Sequence, residues 1–250
     1  IGNKNMLASF ICVTLPASVV MAVLTETLRR RAVYLLASGL GMMAMIIGDS
    51  DSAMLGTAVF IAVFLVVFAR SVTRLKRFFL TLSVMLASVG LLRLFSAAMN
   101  DNYKELGAIP KALLFSSHVY ILLAVCAMIT ALLYFADGKK PCVKLPKAVP
   151  FVLGALFGLA ALSGLGIFLW FSVIDKETEL GEMEKLLRMN DAWGTHRGIM
   201  WLRSFDIFAA ANPWQKLFGT GPDTFFFAFE PYFGQLQEYG NSSTDAAHNE

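Results

Sequence analysis

The stretch "SSTDAAHNE" at residues 242–250 places His248 three residues after Asp245, on what reads as the first turn of a new helix behind a Ser-Thr-Asp capping cluster. Imidazole is the side chain best able to take up a proton near neutral pH, so His248 is a candidate general base. The plainer alternative is an ordinary histidine where a loop meets a membrane. Some fifty positions earlier, "WGTHRGIMWLRSFDIFAAANPWQ" offers a second kind of chemistry. Thr195 is a good N-cap, the run through Ala211 suits a helix, and Asn212-Pro213 stops it. Arg197 then falls in the first turn, where its charge opposes the helix macrodipole by about 0.3–1 kcal/mol unless an anion lies nearby. Free backbone N–H groups together with Arg197 would hold a phosphate or diphosphate. Against this stands an Arg197 that faces solvent or pairs with one of several local carboxylates.

Other residues invite the same two-sided reading. Arg203 is a candidate substrate contact, but Asp206 lies three residues on and a helical ion pair accounts for it. Gly219 and Gly221 in "LFGTGPDTFF" bracket a tight turn that would let a substrate approach the backbone, as would any plain loop. Arg93 and His118 are ionisable groups within apolar runs, a costly placement that usually faces a bundle interior or a watery cavity. Snorkelling to the interface is the alternative for Arg93, and a hydrogen-bonded core position is the alternative for His118. Asp49 and Asp51 in "GDSDS" could hold a divalent metal on a lipid diphosphate, or simply form a turn between short helices.

These groups need a scaffold, and the composition says which. Of 250 residues 57% are hydrophobic and only 16% charged, and the mean hydropathy is +0.63, outside the balance of a soluble domain. The net charge of +3 is too small for nucleic-acid binding, and no nucleic-acid partner is expected. Cys12 and Cys126 lie in apolar runs and Cys142 in a lysine-rich loop, so the cysteines read as packing residues rather than a disulfide framework. The chain opens at Ile1 without an initiator Met and closes in mid-element, and so reads as an internal piece of a longer protein.

A bilayer-crossing helix needs roughly 20 mostly apolar residues. Six stretches are expected to cross: Met6 to Thr25, Ala32 to Gly48, Ala53 to Ala69, Phe78 to Met99, Leu113 to Ala136 and Ala148 to Ile174, the second and third being short. Alternate loops are basic. Arg29, Arg30 and Arg31 follow the first span, Arg70, Arg74, Lys76 and Arg77 the third, and Lys139, Lys140, Lys144 and Lys147 the fifth. Lys and Arg accumulate on the cytoplasmic side. That alternation leaves 175–250 outside the cytoplasm, with twelve acidic residues against six Lys or Arg. The expected fold is therefore all-α: a partial transmembrane bundle over 1–174 and an extracytoplasmic loop over 175–250 that contains short amphipathic helices. One of these is expected in "ELGEMEKLLRMN", where Leu180, Met183, Leu186 and Leu187 recur at helical spacing. Arg93 and His118 then both sit in the outer third of their spans, within reach of one extracytoplasmic pocket.

Taken together the pieces resemble the O-antigen ligase and O-antigen polymerase family of membrane glycosyltransferases. "GNKNMLASFICVTLP" looks like that family's Gly-Asn-x-Asn span entrance, and "SDSAMLG" stands where a Ser-x-Ser span start is usual. The long loop carries most of the likeness, with Arg197 and Trp201 for an Arg-x-x-x-Trp helix, Asn212-Pro213 for its stop, Gly219, Gly221 and Pro222 for a Gly-x-Gly-Pro turn, and "AAHNE" for a His-Asn-Glu segment. One departure is Asp51, where members often have Arg, which makes Arg93 the more interesting basic contact.

The resemblance implies transfer of a glycan from an undecaprenyl-diphosphate carrier to an acceptor hydroxyl on a glycan, lipid or protein, at the outer membrane surface, with no metal or other cofactor. In that scheme His248 is the base, Arg197 and Arg93 hold the diphosphate, and Trp201, Arg203, Gly219, Gly221 and His118 complete the substrate contacts. Membrane lipids are the other partners. Four alternatives remain open at this point: a polymerase of the same family, a metal-dependent transferase using Asp49 and Asp51, a polysaccharide or lipid transporter, and a protein that keeps the family fold without catalysis. Transporters tend to place such groups near the midplane on broken helices, whereas these candidates gather at one face.

Overall fold

The expected apolar runs are helices in the computed structural model, which describes residues 4–98, 106, 108–139, 145–181, 184–191, 193–221 and 224–238. The chain is an all-α polytopic bundle, and no strand occurs among the described residues. In order these are α1 (Lys4–Leu24), α2 (Leu28–Ile47), α3 (Asp51–Phe68), α4 (Val72–Ala98), α5 (Ala108–Phe115), α6 (His118–Lys139) and α7 (Ala148–Leu169). A π-turn at Trp170–Ile174 extends α7, and shorter helices follow: α8 (Glu184–Leu187), α9 (Trp193–Ala210), α10 (Pro213–Phe218), α11 (Phe225–Phe229) and α12 (Phe233–Glu238).

Among the described residues, five helices are long and apolar enough to cross a membrane. The third expected span falls short, because the apolar part of α3, Ala53–Phe68, is a shorter helix. At about 1.5 Å per residue it reaches roughly 24 Å against a hydrocarbon core of about 30 Å. The fifth expected span is not one helix either. It breaks into α5 and α6 at Ser116-Ser117, where the Ser116 hydroxyl accepts the backbone N–H of His118 at 3.1 Å and competes with continued helix winding.

The chain divides into two compact units, Ile1–Phe157 and Gly158–Glu250. In the first, Ala8, Ile11, Leu15, Val19 and Val23 recur every three or four residues along α1 and are all buried. Phe78, Met85, Val89 and Leu92 make the matching face of α4. Because lipid tails are as apolar as leucine, association relies on close packing and interhelical hydrogen bonds. Both are present. The hydroxyls of Ser18 and Ser38 lie 2.9 Å apart between α1 and α2, and Ser88 of α4 donates to the carbonyl of Gly39 at 2.9 Å, where the absent side chain lets the backbones approach.

Two of the basic segments are largely helical rather than loops. Arg29, Arg30 and Arg31 lie within the first turn of α2, and Arg74, Lys76 and Arg77 lie within α4. Two of these guanidiniums turn onto the C-terminal end of α1. Arg31 donates to Thr25 O at 2.9 and 3.1 Å and to Glu26 O at 3.1 Å, while Arg77 donates to Val23 O at 3.1 Å. They satisfy carbonyls that a helix end leaves unpaired and oppose the negative end of its dipole.

In the second unit a smaller core of Ile199, Met200, Phe229 and Leu236 joins α9, α11 and α12. The helix expected over "ELGEMEKLLRMN" is a single turn, α8, among the described residues. What fixes this stretch is Arg188, 8% exposed, which donates to the carbonyls of Phe171, Asp175 and Thr178 and pairs with Glu184 at 3.3 Å.

Candidate functional site

In the first unit the structure brings Arg93 and His118 together. Arg93 is half-buried near the end of α4, and its Nη1 donates to the Ser116 carbonyl over a long 3.5 Å. The same guanidinium lies over the ring of Tyr120, 5.4 Å from its centroid. His118 Nδ1 is 2.6 Å from Ser116 Oγ. Since Ser116 Oγ accepts the His118 N–H, it is placed to donate its own proton to Nδ1 when the ring proton sits on Nε2. His118 is therefore the exposed first residue of α6, not a residue some way inside an unbroken span.

Two further residues complete this arrangement without having been singled out by sequence. Ser116 is the shared partner, and Tyr120 is the platform under Arg93. A Cβ added to Gly90 of α4 would meet Tyr120 Cε1 at 3.4 Å, an ordinary contact, so the ring lies beside α4 one turn from Arg93. The available signal was the Ser-Ser-His triplet interrupting an apolar run. The cluster joins a fixed positive charge, an imidazole and the amino end of α6, which carries partial positive charge of its own. It can attract an anion, and His118 can exchange a proton.

In the second unit α9 begins at Trp193, two residues before the expected N-cap Thr195. The Trp193 N–H donates to the Asn190 carbonyl at 3.0 Å, and its ring packs on Phe168 with centroids 5.8 Å apart, which draws the helix start backwards. Arg197 is thus the fifth helical residue rather than one of the first turn, and the argument from helix-end N–H groups beside it does not hold at that position. Its side chain lies outside the described residues. Gly198 has a steric reason: an added Cβ would collide with the Asn190 carbonyl.

Arg203 donates to Asp206 Oδ2 and to Gln235 Oε1, each at 3.0 Å, lies 3.8 Å from Asp191 and sits over the Tyr232 ring. The ion pair with Asp206 is the one its spacing suggested. Trp201 is partly buried against the Ile199–Phe229 core. Asn212-Pro213 does more than stop α9, because Asn212 forms a reciprocal capping box with Gln215 and starts α10. Gly219 ends α10 with φ 75° and Gly221 follows with φ 111°, conformations that favour glycine. The Thr224 hydroxyl closes that turn onto Gly221 O at 2.8 Å.

Asp175, just beyond α7, has its carboxyl held below the usual range, first by the Thr178 hydroxyl at 2.7 Å, then by the Thr178 and Glu177 backbone and the charge of Arg188. Asp49 has φ 51° in the tight turn between α2 and α3, and no group of three or more metal-binding side chains occurs among the described residues. His248 lies outside the described residues. No family model, curated protein or solved structure matches this chain.

Proposed function

We propose that this chain is a membrane glycosyltransferase of the O-antigen ligase type, moving a glycan from an undecaprenyl-diphosphate carrier to an acceptor hydroxyl at the extracytoplasmic surface. The single observation that carries the reading is the convergence of Arg93 and His118 on Ser116 at one end of α4 and α6, which supplies positive charge and a proton-exchanging ring at a membrane boundary. The motif sequence from Arg197 to His248 supports it from the loop.

In this reaction the acceptor oxygen attacks the anomeric carbon, the bond to the diphosphate breaks, and the carrier leaves as undecaprenyl diphosphate. His248 takes the acceptor proton and Arg197 stabilises the charge of the leaving diphosphate, while Arg93 is the candidate anion contact of the first unit. Trp201, Gly219 and Gly221 shape the loop beside the sugar, while Arg203 holds that loop through Asp206 and Gln235. His118 lies close enough to Arg93 to contact the same headgroup. The protein stands in the cytoplasmic membrane with the 175–250 segment outside, a placement that needs the short helix α3 as a sixth crossing and that the alternation of basic segments supports.

The test is glycan transfer in proteoliposomes containing the full-length protein and a lipid-diphosphate donor. His248→Ala is expected to lower kcat by about 10²–10⁴-fold, the usual contribution of a general base. Arg197→Ala and Arg93→Ala are expected to raise the donor KM as well as lower kcat. Unchanged turnover in the His248 variant removes the base assignment, and transfer abolished by chelation rather than by these substitutions points to a metal-dependent enzyme. Offering either a lipid core or a second carrier-linked repeat as acceptor separates ligase from polymerase.

A further inference from the structure

At the opposite, basic end of the first unit a cleft of about 430 Å³ opens between the end of α3 and the start of α7. Val66, Val67, Pro150 and Phe151 line it, and Arg70 and Lys147 stand at its rim. Among the described residues neither Arg70 nor Lys147 forms an ion pair, and no acidic side chain lines the cleft. This separates them from Arg31 and Arg77, whose guanidiniums are used on the end of α1. The amino end of α7 adds partial positive charge on the same side.

We propose that this cleft binds an anionic phospholipid, its phosphodiester between Arg70 and Lys147 and its acyl chains along Val66, Val67 and Phe151. Charge complementarity selects an anion. The walls select a lipid over a free ion, since four of the six lining residues are apolar, and Phe151 at 76% and Val67 at 49% exposure continue the membrane-facing surface of their helices. The two cations lie just past the apolar ends of α3 and α7, the level at which headgroups meet hydrocarbon. Basic pockets between membrane helices bind lipid headgroups by this arrangement. The two walls come within reach of one another at Gly154 of α7, where an added Cβ would meet Val66 Cγ1 of α3 at 3.8 Å.

Native mass spectrometry of the full-length protein, stripped of lipid in detergent and titrated with phosphatidylglycerol or phosphatidylcholine at equal concentration, tests this. One phosphatidylglycerol is expected to be retained in preference to phosphatidylcholine. Arg70→Gln and Lys147→Gln are each expected to weaken retention roughly fivefold, and Arg29→Gln, which removes one charge from another basic segment, to leave it unchanged. The charge-keeping Arg70→Lys and Lys147→Arg variants restore retention, which distinguishes lost binding from lost folding. Equal retention of the two lipids overturns the proposal, as does undiminished retention in the doubly neutral variant. So does displacement of the lipid by millimolar inorganic phosphate, which assigns the cleft to a free anion.

Discussion

Arg93 and His118, on different helices and 25 positions apart in sequence, are joined through one residue: the carbonyl of Ser116 accepts from the guanidinium, and its hydroxyl bonds the imidazole at 2.6 Å. The hydroxyl also receives the first N–H of α6. A single serine therefore orients the ring and ends the break between α5 and α6.

Ser116→Ala is expected to free the imidazole while keeping the carbonyl that Arg93 uses. Losing a helix-end acceptor of this kind costs about 0.5–2 kcal/mol. The ring nitrogen shifts of His118, read by ¹⁵N NMR, should move in Ser116→Ala and stay near wild type in Ser116→Thr, which keeps a hydroxyl. Identical spectra in all three proteins would show that Ser116 does not set the tautomer.

Gly90 tests the approach of α4 to Tyr120. With 3.4 Å available to a Cβ, Gly90→Ala makes ordinary contact and should be nearly neutral. Gly90→Leu has no such room and is expected to cost about 1–3 kcal/mol through overpacking, and to move Tyr120 from beneath Arg93. Thermal unfolding in detergent gives the first quantity. Donor KM in the transfer assay reports the second, since displacing Tyr120 leaves Arg93 chemically intact.

Much of this architecture was legible because span length is a direct consequence of bilayer physics. The five spanning helices and the all-α class follow from apolar runs of sufficient length. Helix ends were less legible, for a specific reason: α2 begins at Leu28 and α4 at Val72, because helical hydrogen bonding continues through Arg29–Arg31 and Arg74–Arg77 after hydropathy has ended. The start of α9 depends on Trp193 packing against Phe168, a contact between residues 25 apart that no capping rule contains. Arg203 with Asp206 was readable as a local pair at three-residue spacing, whereas its bond to Gln235 was not. Arg188 went unnoticed since its partners are mostly carbonyls, which every residue carries.

Arg188 is expected to matter most to the second unit. Its guanidinium serves three backbone carbonyls as well as Glu184, so Arg188→Ala leaves part-buried acceptors unpaired and should cost about 1–3 kcal/mol. Glu184→Gln should cost less than about 1 kcal/mol, because that carboxylate is 40% exposed and its ion pair is screened. Limited proteolysis between α7 and α9 reads the difference. Equal protection in wild type and Arg188→Ala would mean that other contacts hold the loop.

The Asp175 carboxyl gives a pH dependence whose sign is fixed. Its folded pKa is lowered by the Thr178 hydroxyl and backbone, so its contribution is present above the ordinary aspartate value of about 3.9 and is lost as pH falls through the lower folded value. Asp175→Asn should therefore lower the melting temperature at neutral pH, and the gap to wild type should close in acid. Because Asp175 is only partly covered the effect is small, and a gap that persists unchanged below that range would assign it to altered hydrogen bonding to Thr178 instead of charge.

Two glycines of the second unit should respond in opposite directions to the same substitution. Gly219 holds φ 75° with ψ −175°, so Gly219→Ala forces an L side chain into a strained region and should destabilise by about 1–3 kcal/mol. Gly234 is in α12 with nothing within 4 Å of an added Cβ, so Gly234→Ala should stabilise by up to about 1 kcal/mol through helix propensity and a less flexible unfolded chain. If the Gly219→Ala protein also transfers glycan more slowly while Gly234→Ala does not, the turn acts on the reaction through its backbone path, since both substitutions add the same methyl group. Matching stability changes in the two variants would show that the turn tolerates a conventional backbone.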